Sequence, residues 1–142
     1  MQIFSFFKRM LAVLALSLLA HVALAQQTNS STEPKTLYVF GVVYHFADST
    51  AYISELQMLT LPTYKNGQVA VQDVLSERFK RYVKQTYDVT HSVSALFVET
   101  TKAKAEKQLV KVRKQYIKKN GEHKWLPVTL ERFRFINTTL EN

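Results

Sequence analysis

Cysteine is absent from the 142-residue chain. Disulfides, zinc–thiolate centres, iron–sulfur clusters and thiol catalysis are therefore excluded. Glycine is nearly as scarce: Gly41, Gly67 and Gly121 are the only three. They offer no glycine-rich nucleophile elbow. Acidic residues number 11 against 19 Lys and Arg, a formal net charge of +8. Hydrophobic residues are not scarce, at 46%, and aromatics reach 12%. That is too rich for a disordered chain, and the length suits one domain rather than two.

One long apolar run exists, and it stands at the start. Lys8 and Arg9 precede Met10 to Ala20, which is apolar except for Ser17. Ala23-Leu24-Ala25 places small residues where a signal peptidase reads them. Residues 1–25 are expected to be an export signal, with Gln26 the mature N-terminus. A retained anchor is the rival reading, because His21 is the sole polar break before Ala25. Without Lys8 and Arg9 the balance is 17 basic to 11 acidic residues, net +6. No second long run follows, so the mature chain is not expected to span a membrane. Residues 26–35 are polar and read as a flexible leader, residues 36–136 as the domain, and residues 137–142 as a tail.

Within the domain, Leu37 to Phe46 is apolar at both parities and reads as a strand that is covered on both faces or is central. Asp48-Ser49 is turn chemistry, and Ala51 to Thr60 forms the second arm of a hairpin. Leu61 to Gln68, with Pro62, Asn66 and Gly67, reads as a loop. Asp73 is expected to cap a helix reaching Gln85 or Tyr87, with Leu75, Phe79, Tyr82, Val83 and Thr86 on its apolar face. Val93 to Val98 reads as a short buried strand. Thr100 or Thr101 caps a second helix, which ends at Asn120-Gly121. Leu126 to Leu130 is the last strand, with a bulge or bend at Glu131-Arg132 that lets Phe133 and Phe135 pin the tail. The fold class is α+β: order β-β-α-β-α-β, a four-stranded mixed sheet, and two helices on one face if the sheet grows in one direction.

The run YVFGVVYHFADSTAYISELQML, the basic helix with KAEKQLVKVRKQY and the closing FRF resemble a group of small exported proteins of Bacteroidota-type bacteria. That group has no assigned activity. The resemblance covers most of the domain and implies export to a bacterial envelope; its motifs are structural and imply no chemistry.

The second helix carries eight basic residues and one acid. Lys104, Lys107, Lys111, Lys114 and Lys118 are spaced three, four, three and four, which lines them up over roughly 20 Å. Like charges at this spacing repel by a few tenths of a kcal/mol per pair. Either the stripe is a solvated face, or it meets an anionic lipid or glycan. Nucleic acid is the least expected anion for an exported chain. On the other side, Leu109, Val112 and Tyr116 form one apolar facet and Val110 and Ile117 another. Glu106 and Arg113 fall between them, with Arg113 expected to snorkel to the edge.

Candidate chemistry is sparse. His45, Asp48 and Ser49 cluster near the hairpin tip, and His91 precedes the third strand. Those residue types suit a hydrolytic triad, but no motif positions them. His45 and His91 as metal ligands would need Glu122 or His123, which lack a standard spacing. Phe40, Tyr44 and Phe46 share strand parity and mark either core or an interaction surface for a protein partner or self-association. Asp48-Ser49-Thr50 resembles an acid-hydroxyl-small O-glycosylation motif of Bacteroidota-type envelope proteins; Asn29 and Asn137 sit in N-glycosylation patterns. The expectation is an exported, periplasmic or extracellular, non-catalytic protein without cofactor or metal. It would act as a binding or interaction module for an anionic envelope component. A structural or accessory protein is the alternative, and an envelope hydrolase the minor one.

Overall fold

The computed structural model describes residues 31–135. The chain divides into two units, Met1–Thr32 and Glu33–Asn142, and the fold below is that of the second. The expected signal, residues 26–30 of the leader and the tail lie outside the described residues. Among those described, no helix is long and apolar enough to cross a membrane.

Five strands and two α-helices follow in the order β1 (Thr32–His45), β2 (Thr50–Ser54), β3 (Gln57–Tyr64), α1 (Gln72–Tyr87), β4 (Ser92–Glu99), α2 (Lys102–Asn120) and β5 (Trp125–Val128), with a 3-10 turn at Glu122–Lys124 before β5. This is the expected α+β domain with one strand more. β1 begins four residues before the expected domain boundary, and Thr32 to Thr36 are exposed. It is the centre of the sheet. β2 pairs with it antiparallel, Val42 opposite Ile53, and β4 does so along Tyr38 to His45. β3 also bonds to β1, and β5 runs parallel to β2.

The expected single strand Ala51 to Thr60 is split because Glu55 is an inserted residue. Ala51, Ile53 and Leu56 belong to one core cluster, whereas Tyr52 and Leu61 belong to the other. Face alternation therefore slips by one residue at Glu55, as at a bulge. The Glu55 backbone N–H donates to the Val128 carbonyl, and its carboxylate accepts from Leu130 N–H. Ser54, fully buried, accepts the Gly41 N–H at 2.7 Å and completes the ladder at the break. The segment expected as a loop from Leu61 is strand up to Tyr64. Pro62 is tolerated because its carbonyl still takes a bond, from Ala70 N–H, and a proline need only avoid a position requiring its missing donor.

The helices lie on opposite faces, not on one. Leu75, Phe79 and Val83 of α1 join Leu37, Val39 and Val43 of β1 in the larger cluster. Leu109 and Tyr116 of α2 pack on the smaller cluster of Phe40, Ala51 and Ile53. The reason is strand order. The first crossover ends at β4, beside β1, and the second returns across β1 and β2 to β5. Crossovers of one hand that travel in opposite directions must pass on opposite faces. Strand β1 is thus apolar at both parities because a helix covers each side. β4 is half-buried rather than buried, with Val93 50% exposed.

Capping divides likewise. Thr101 caps α2 by accepting from Lys104 N–H, and Gly121 ends it at φ +92°, a conformation open to glycine. Asp73 does not cap α1. The N-cap position is Val71, without a side-chain bond, and Asp73 lies in the first turn, where its charge favours the helix dipole. After β5, Thr129 accepts from the N–H groups of Arg132 and Phe133. That turn is the bend, one of the two alternatives expected at Glu131-Arg132, and it delivers Phe133 and Phe135 into the core beside Phe79.

Candidate functional site

The hairpin tip draws His45 and Asp48 together. His45 Nδ1 and Asp48 Oδ1 are 3.0 Å apart, and the same carboxylate oxygen accepts Thr50 N–H. This is an Asx turn with Ser49 left-handed at φ +58°. Burial raises the Asp48 pKa, but the Thr50 hydrogen bonds and the charges of His45 and Lys124 outweigh it, and the net value lies below the ordinary one. Phe46 N–H donates to the His91 carbonyl, so both histidines stand at this end of the sheet. Among the described residues, no group of three or more His, Asp or Glu is placed to hold a metal ion.

Tyr116 of α2 fastens this tip by donating its hydroxyl to the Ser49 carbonyl. Burial, with the nearby Tyr44 and Asp48, pushes its phenol up to about 12. The bond is intact below the usual phenol pKa near 10 and is lost as pH climbs through the raised value. Tyr116→Phe is expected to cost about 1 kcal/mol in urea unfolding. It should also remove the most alkaline step from a phenolate absorbance titration.

The aromatic trio does not form one surface. Phe40 is fully buried and stacks on Phe97, 4.7 Å between centroids. Tyr44 is half-buried against Tyr116, and only Phe46 stands out, 56% exposed. Phe40 is core because α2 covers its face of the sheet. Thr50 of the candidate glycosylation motif is buried as well.

The five lysines of the stripe, Lys104, Lys107, Lys111, Lys114 and Lys118, are all exposed. The ion pairs of α2 involve other residues: Lys102 with Glu106 at 3.8 Å, and Arg113 with Glu122 at 3.2 Å. Glu106 and Arg113 are thus exposed at the helix edge, each satisfied by a neighbour instead of by the sheet.

Those pairs border a feature with no counterpart in the sequence patterns. α2 covers only part of its face of the sheet. Beside it lies an open groove of about 1070 Å³. Tyr38, Ile53, Leu56, Trp125 and Pro127 form an apolar floor, and Lys102, Glu106, Leu109 and Arg113 of α2 form one wall. Glu55, Met58 and Glu122 line it as well. The contributing segments are far apart in the chain, which hides the groove from any local motif search. Its only local sign is Glu106 and Arg113 interrupting the apolar facets of α2. No family model, curated protein or solved structure matches the chain.

Proposed function

We propose that the protein is an exported, non-catalytic binding module that attaches to an anionic component of a bacterial cell envelope through the lysine stripe of α2. The observation that carries this reading is the row of five exposed lysines along a single helix line, with no acidic partner among the described residues. Self-repulsion along such a row is relieved by an anionic surface. The apolar run with Ala23-Leu24-Ala25 supports export, and the resemblance to small exported Bacteroidota-type proteins agrees with it.

The test is sedimentation of the mature chain with phosphatidylglycerol vesicles, with phosphatidylcholine vesicles as control. Binding to the anionic vesicles alone is expected, weakening steeply as salt approaches about 1 M, where the screening length is about 3 Å. Each lysine near an anionic surface contributes about 1 kcal/mol. Lys107→Gln with Lys111→Gln should therefore weaken binding roughly thirtyfold. Binding that ignores both salt and these substitutions defeats the proposal.

A further inference from the structure

We propose that the groove between α2 and the sheet binds an extended peptide segment that alternates apolar and basic side chains. This site is separate from the lysine stripe and stands whether or not the stripe holds an anion.

Shape is the first argument. Lys102, Glu106, Leu109 and Arg113 succeed one another at four, three and four residues along one wall. That wall is about 16 Å long, the span of about five residues in extended conformation. The groove is open to solvent and not an enclosed cavity, which suits a chain lying across it more than an enclosed small molecule. Its floor is apolar, and Met58 stands 64% exposed in its lining. A thioether on a flexible stem adapts to differing side chains.

Charge is the second argument and decides the ligand's sign. The chain as a whole has 19 basic residues to 11 acidic, yet the groove reverses this, with Glu55, Glu106 and Glu122 against Lys102 and Arg113. Both cations are already engaged, by Glu106 and Glu122. Glu55 remains: its carboxylate accepts the Leu130 N–H and has no cationic partner among the described residues. An anionic ligand would meet a surplus negative charge, whereas a basic side chain would meet a carboxylate already in place. Apolar side chains of the same segment would take the floor at alternate positions.

Trp125, the chain's only tryptophan, lines the groove, so its emission reports occupancy. The full chain is titrated with three probes: a blocked Leu–Lys alternating hexapeptide, its Leu–Glu counterpart, and a medium-chain fatty acid. A saturable emission change with the Leu–Lys peptide alone is expected. Affinity should fall at least tenfold in both Leu109→Arg and Glu106→Lys. It should stay unchanged in Lys107→Gln with Lys111→Gln, which separates this site from the stripe. Circular dichroism checks that each variant is folded, and Glu106→Lys, at an exposed position, decides alone if Leu109→Arg is not. No saturable change, an equal response to the Leu–Glu peptide or the fatty acid, or full affinity in Glu106→Lys overturns the proposal.

Discussion

Phe79→Ala is expected to lower the unfolding free energy by about 3–5 kcal/mol, read from the urea midpoint at constant slope. Phe79 is fully buried and lies under the aromatic end of the chain, 4.9 Å from the Phe133 ring and 6.0 Å from that of Phe135. It also presses on Gly41. A Cβ added there would stand 2.7 Å from Phe79 Cδ1 and 3.1 Å from Phe135 Cζ. The ring thus fills the slot that glycine leaves open in the central strand. Removing it leaves a cavity that strand, helix and tail cannot all collapse into. Domains of this size have about 5–15 kcal/mol in total, so the loss is a large share. The double variant carries the sharper sign. Gly41→Ala alone should cost about 1–3 kcal/mol by overpacking. In the Phe79→Ala background it should cost clearly less, because the clashing atom is gone. Strict additivity would refute this account of Gly41.

Gln57→Leu is expected to cost about 2–6 kcal/mol, although the substitution places an apolar side chain in an apolar setting. The buried Gln57 amide serves both polarities of the returning chain. Its Oε1 accepts Phe135 N–H at 2.8 Å, and its Nε2 donates to the Phe133 carbonyl at 3.4 Å. Leucine would strand two buried backbone groups at about 1–3 kcal/mol each. Amide exchange at Phe135 locates the effect: protection there should be lost before protection in β1. An exchange pattern unchanged from the parent would show that the tail is held by its phenylalanines alone.

These features differ in how far they could be read from residues. Leu75, Phe79 and Val83 announce α1 because helical periodicity is local. Thr101 and Gly121 mark the ends of α2 by local backbone chemistry, and Phe133 and Phe135 break the parity of the last strand visibly. Thr86, assigned to the apolar face of α1, is exposed because that face is narrower than periodicity suggests. Strand order is not local. Which side of β1 receives β4, and hence which face each helix takes, depends on pairings between distant segments. Glu55 looks like an ordinary strand residue until Val128 and Leu130 approach it. The groove was illegible for the same reason, while the lysine stripe was visible at once because a single helix carries it.

The parallel pairing of β5 with β2, Ala51 opposite Trp125 and Ser54 opposite Val128, has a consequence for how the fold closes. This edge of the sheet comes from a segment separated from β2 by β3, α1, β4 and α2, and the aromatic plug over Phe79 follows directly after it. Until that segment docks, one edge of β2 stays unpaired and the Phe79 ring uncovered. Such a long-range loop closure slows the search for the native pairing more than it lowers the stability finally reached.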